Sequence, residues 1–78
     1  MAIAFVLISI QSKHKKKIYE KLSKVEGISE LCALTGEYYD LIAKIDTNNF
    51  ESIADIIKNK IRTIEGVTDT KTLTGTKF

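Results

Sequence analysis

The stretch Leu34-Thr35-Gly36-Glu37-Tyr38-Tyr39-Asp40 carries the densest set of groups able to hold a small molecule. A glycine turn exposes backbone N–H groups that suit a carboxylate. A neighbouring Asp suits an ammonium through charge-assisted hydrogen bonds. A molecule bearing both is a free amino acid. The alternative is a polar hairpin with two interfacial tyrosines, because turns commonly hold Gly and Asp. A second set is the row Thr68, Thr70, Thr72 and Thr74. At a spacing of two it puts hydroxyls that donate or accept on one face of a strand. Thr also simply suits a half-exposed strand.

Other reactive groups point to less. Lys13-His14-Lys15-Lys16-Lys17 is a local basic cluster that suits phosphate or an acidic partner. The same residues also read as a solvated face. Lys at a helix N-terminus opposes the macrodipole, which places part of the cluster before the helix. Cys32 sits mid-strand between Leu31 and Ala33, the setting of a buried structural thiol. Reactive thiols sit in exposed, cationic surroundings. One His and one Cys cannot build a closed zinc site. The sequence holds no phosphate-binding glycine loop and no Ser-His-Asp set. The expectation is no enzyme, no cofactor and no metal.

The chain has 78 residues and is expected to be one domain over 1–78. A domain this small buries only about 60% of its unfolded surface. With a single cysteine it has no internal disulfide to help, which leaves association with other chains. Net charge is +2, too weak to argue for nucleic acid. The apolar run Ala2 to Ile10 is far shorter than the ~20 residues of a membrane span. It also lacks signal-peptide features. A cytoplasmic protein is expected.

The chain reads as two copies of one unit. Val25-Glu26-Gly27-Ile28-Ser29-Glu30 resembles Ile64-Glu65-Gly66-Val67-Thr68-Asp69, and Leu34-Thr35-Gly36 recurs as Leu73-Thr74-Gly75. The offset is half the chain both times. It also lays Ile3, Ala4 and Val6 over Ile42, Ala43 and Ile45.

In the first unit, 2–10 is apolar on both faces and reads as a strand covered on both sides. Ser12 is expected to cap a helix over about 13–24 whose buried stripe is Ile18, Leu22 and Val25. Gly27 ends it, and a strand follows over about 28–35. In the second unit, Tyr39, Leu41, Ala43 and Ile45 alternate with Asp40, Lys44 and Asp46, a half-buried strand. Asn48 and Glu51 resemble a capping box. Phe50, Ile53, Ala54, Ile57, Ile61 and Ile64 follow helical spacing, Gly66 ends that helix, and 67–74 is the last strand.

Two such β-α-β units joined by a hairpin predict an α+β, ferredoxin-like split βαββαβ fold. It has a four-stranded antiparallel sheet with two helices on one face. The other face has no helix, yet strand one is apolar on both sides, with Ile3, Phe5 and Leu7 on one and Ala4, Val6, Ile8 and Ile10 on the other, so one of those sets must pack on something outside the monomer. Each buried apolar side chain is worth roughly 1.5–3 kcal/mol, so about three or four left wet would weigh heavily on a small domain. A second copy packing sheet to sheet answers this, giving a two-fold dimer of the dimeric α+β barrel type.

With these motifs in place, the sequence resembles the ligand-sensing (RAM) domain of the Lrp/AsnC, or feast/famine, transcriptional regulators. The family's hydrophobic-Thr-Gly-x-Tyr-Asp hairpin is matched at Leu34 to Asp40. Its Gly-Val-x-x-Thr-x-Thr stretch is matched by Gly66-Val67-Thr68-Asp69-Thr70-Lys71-Thr72. The resemblance covers essentially the whole chain and implies the stand-alone form, without a helix-turn-helix and without direct nucleic-acid binding. It implies homodimers assembling into larger rings, an octamer of four dimers, with amino acids bound between dimers. Carried over, Thr35, Gly36, Glu37, Tyr38 and Tyr39 surround the ligand carboxylate, Asp40 takes its ammonium, and Thr70 and Thr72 add hydroxyl contacts. A full-length Lrp/AsnC regulator is the implied protein partner, and no membrane is involved. The alternatives are a small dimeric α+β barrel enzyme of monooxygenase type, with Tyr38 or Tyr39 as donor, and an ACT-type regulatory domain.

Overall fold

The computed structural model describes residues 2–35 and 38–74, so Gly36, Glu37 and Gly75 lie outside the described residues, as does the side chain of Ser12. The elements run β1 (Ala2–Ile10), α1 (Lys15–Ser23), β2 (Ile28–Ala33), β3 (Leu41–Thr47), α2 (Phe50–Ile56) and β4 (Val67–Thr74). They form one four-stranded antiparallel sheet in the order β2-β3-β1-β4. The predicted β-α-β-β-α-β order holds, with β1 inside the sheet and β2 and β4 at its edges.

Alternation in β1 divides its side chains between two environments. Ala2, Ala4, Val6, Ile8 and Ile10 are buried, and they pack with Leu41, Ala43 and Ile45 of β3. Ile18 and Leu22 of α1, with Ile53 of α2 and Ile61 beyond it, complete the core from the helix side. The opposite parity faces away from the helices. Phe5 is 39% exposed there and Leu73, its partner across the β1–β4 pair, is 47% exposed. Ile3, Leu7 and Ile42 join them half-buried.

Helix ends depart from the sequence reading in detail. A 3-10 turn over Ser12–His14 precedes α1, and His14 takes the N-cap position without a side-chain cap. In the second unit the cap is Asn49, one residue beyond the predicted Asn48. Its side chain accepts from the N–H of Ser52 at 2.8 Å. Asn also ranks among the best N-cap residues. The α2 helix then widens into a π-helical turn over Ile57–Ile61, in which the N–H of Arg62 reaches the carbonyl of Ile57 at 2.9 Å. Gly27 and Gly66 end the two helical segments at φ 102 and 101. That left-handed region carries little penalty for Gly alone.

Cys32 is exposed and not buried as its apolar neighbours suggested. It lies opposite Ile42 on an edge strand, on the side away from the helices. No helix among the described residues is long and apolar enough to cross a membrane.

Candidate functional site

The hairpin between β2 and β3 folds back onto the end of β1, and Asp40 fastens it there. The backbone N–H of Asp40 donates to the carbonyl of Ile8 at 2.8 Å, and its carbonyl accepts from Leu34 at 2.7 Å. Beyond Ile8, β1 has outrun β3, whose ladder ends at Leu41. The N–H of Ile10 points to that same side with no strand left to receive it, and a buried donor needs a partner. The Asp40 carboxylate supplies it, with Oδ2 accepting at 3.0 Å. Lys15 Nζ lies 3.7 Å from Oδ1, a partly exposed ion pair at the start of α1. The hydroxyl of Ser9 also donates to the carbonyl of Tyr38.

Asp40 is thus a structural anchor of the hairpin. A carboxylate has about four acceptor positions, so one N–H and one loosely placed lysine leave capacity for a further cation. Tyr38 is 80% exposed, Tyr39 and Asp40 are half-buried, and Thr35 is exposed. One member of the basic cluster, Lys15, has a fixed acidic neighbour in Asp40, which the sequence reading missed.

The threonine row stands elsewhere. Thr70, Thr72 and Thr74 pair with Ile8, Val6 and Ala4, whose side chains face the helices. Thr70 is half-buried, and Thr72 and Thr74 are exposed. A bulge between Ser9 and Ile10 takes Thr68 out of the row, and its hydroxyl donates to the carbonyl of Ser9 at 3.1 Å. Because β1 lies between β3 and β4, the hairpin and the threonines flank it from opposite sides. Thr72 and Thr74 line an open groove of about 510 Å³ along α2, with Phe50, Ile57, Lys58 and Arg62, and none of the described hairpin residues lines it.

Lys58, Arg62 and Phe50 were not among the sequence-derived candidates. The repeat offset was the available signal, since it carries Ala33 onto Thr72 and Tyr19 onto Lys58. The described residues hold no group of three His, Cys, Asp or Glu side chains placed for a metal.

Comparison with known proteins decides the family. The family model described as Lrp/AsnC ligand binding domain matches residues 3–76. The chain belongs to the Lrp/AsnC ligand-binding domain family. It is 32% identical over 73 residues to an uncharacterised HTH-type transcriptional regulator of Pyrococcus abyssi, covering 90% of this chain and 48% of that one. A second HTH-type regulator of that organism is 34% identical over 71 residues, covering 91% and 46%. The chain therefore spans about half the length of the curated relatives it matches. A crystal structure of a Thermus thermophilus protein superposes with a TM-score of 0.93 at 29% identity, covering all of this chain and 96% of that one. Escherichia coli AsnC shares the fold at a TM-score of 0.89 and 24% identity, with 99% and 52% covered. The Lrp/AsnC ligand-binding domain is regulatory and not an enzyme family, so the monooxygenase-type alternative falls away, as does the ACT-type one.

Proposed function

We propose that this Lrp/AsnC domain is an amino-acid-binding effector module, working in the cytoplasm as a homodimer that assembles further, to an octamer. It acts on transcription through a full-length regulator of its family and reads no DNA itself. The observation that carries this is the separation of the two ligand-facing sets within one chain. The Asp40 hairpin and the Thr72 groove lie on opposite sides of β1, so one copy alone brings no complete binding set together. Assembly supplies what one chain lacks. Sheet-to-sheet pairing would cover Ile3, Phe5, Leu7, Ile42 and Leu73, and contacts between dimers would bring a hairpin to a neighbour's groove. A Neisseria meningitidis transcriptional regulator of this fold was solved as an L-Met complex, with a TM-score of 0.86 at 19% identity. Ligand then shifts assembly by binding one state more tightly than another.

In this reading Thr35, Gly36, Glu37, Tyr38 and Tyr39 surround the ligand carboxylate, Asp40 accepts from the ammonium, and Thr70 and Thr72 add hydroxyls. Thermal-shift screening of the free amino acids alongside light-scattering mass tests it. A specific stabiliser that also changes particle mass is expected, and no response to any amino acid overturns the reading. Asp40→Asn separates the two roles of the side chain. The amide oxygen still accepts from the Ile10 N–H, while the charge facing the ammonium is lost. Calorimetry should show affinity weakened by ~1.5–3 kcal/mol. Unchanged affinity removes Asp40 from the site.

A further inference from the structure

We infer that the groove between α2 and the β4 edge receives a negatively charged side chain, so that the effector is a small dicarboxylic amino acid. This rests on the reading of the domain as an amino-acid-binding module and names its ligand class.

Lys58 and Arg62 both line the groove, both are exposed, and no carboxylate among the described residues lies within salt-bridge distance of either. Among the described residues no Asp or Glu lines the groove. Each of the four other described cavities carries at least one carboxylate, from Glu20, Glu26, Glu30 or Asp46. Cations in the last turns of a helix complement its dipole, which accounts for positive charge there. The dipole does not account for the opposite wall, where Thr72 and Thr74 present hydroxyls. Nor does it account for the π-helical turn over Ile57–Ile61, within which Lys58 lies and which Arg62 closes. Such turns recur at functional sites.

The pieces fit one ligand shape. Arg presents a planar fork that matches a carboxylate with paired hydrogen bonds, and Lys adds a mobile point charge. Phe50 and Ile57 offer an apolar wall for a short methylene chain. The hydroxyls reach the polar end of the molecule. Two cations with no counter-charge among the described residues favour a ligand whose side chain brings a second carboxylate, and a neutral side chain would leave both of them unmatched.

The test uses the full chain with L-glutamate, L-aspartate, L-glutamine, L-asparagine and succinate, by calorimetry and thermal shift. Glutamate or aspartate should bind at least tenfold more tightly than its amide. Lys58→Gln with Arg62→Gln should reduce that preference to near unity while leaving oligomeric mass in place. Retained preference in the double variant overturns the inference. Tighter binding of a neutral or basic amino acid also overturns it and leaves the sensing role standing. Binding of succinate as tight as glutamate keeps the anion-receiving groove and overturns the amino-acid reading. No binding of any amino acid removes both.

Discussion

Two grooves occupy equivalent places in this repeated chain, and only one is chemically open. In each half a helix crosses toward an edge strand, α1 toward β2 and α2 toward β4. The first groove, about 550 Å³, is lined by Lys15, Lys16, Tyr19, Glu20, Ala33 and Leu41. The second, about 510 Å³, puts Lys58 where the first has Tyr19 and Thr72 where it has Ala33. The first satisfies itself. Tyr19 donates to the carbonyl of Leu31 at 3.1 Å, Lys15 pairs with Asp40, and Glu20 puts a carboxylate in the lining. The second has two cations with no carboxylate within salt-bridge distance among the described residues, beside two threonines. Repetition copied the shape of the groove and not its chemistry, so function has to be read from side chains one at a time.

Both halves share one open sheet face, and a change there should act most strongly. Phe5→Asp replaces an exposed apolar side chain in each copy of the proposed dimer, at about 1.5–3 kcal/mol per copy. Light scattering should then report monomer mass at micromolar concentration. A retained dimer would mean that another surface holds the copies together. A smaller effect tests whether the two halves are equivalent frames. A Cβ on Gly27 would sit 2.6 Å from Cδ1 of Ile56, and one on Gly66 2.6 Å from Cδ1 of Ile18. Each glycine thus abuts the helical segment of the other half, at a positive φ that L-residues avoid. Gly27→Ala and Gly66→Ala should each cost about 1–3 kcal/mol in urea unfolding. Markedly unequal costs would show that the halves are not interchangeable supports.

Milder substitutions separate the two grooves. Thr72→Val should weaken ligand binding by about 1 kcal/mol in calorimetry while unfolding stays near that of the parent chain. Ala33→Thr, the reciprocal change in the first groove, should leave binding unaltered. Tyr19→Phe removes one exposed hydrogen bond and should lower stability by less than ~1 kcal/mol with no effect on ligand. A ligand effect from Tyr19→Phe would give the first groove a role that its lining does not suggest.

Several features of the fold were legible because they rest on local periodicity. The alternation in β1 and β3, the isoleucine stripe of α2 and the glycine stops are patterns that neighbouring residues impose on one another. The internal repeat supplied the order of elements, and the hairpin and Gly-Val-x-x-Thr-x-Thr motifs pointed to the family later matched. The errors fell where a partner far along the chain decides the outcome or where a boundary shifts by one residue. Asn49 caps α2 in place of Asn48, because the first turn starts one residue later than the spacing suggested. Cys32 is exposed because it lies on an edge strand away from the helices, a fact of sheet order and register.

Residues close in the chain were thus enough to set the alternating faces, the repeat and the two motif-bearing segments. Tertiary structure alone decided that Asp40 completes the ladder of β1, and that β1 divides the hairpin from the threonines. It also decided that Thr72 shares a groove with Lys58 and Arg62. Those relations cross between strands and helices distant in sequence, where register and packing set the neighbours and local spacing carries no record of them.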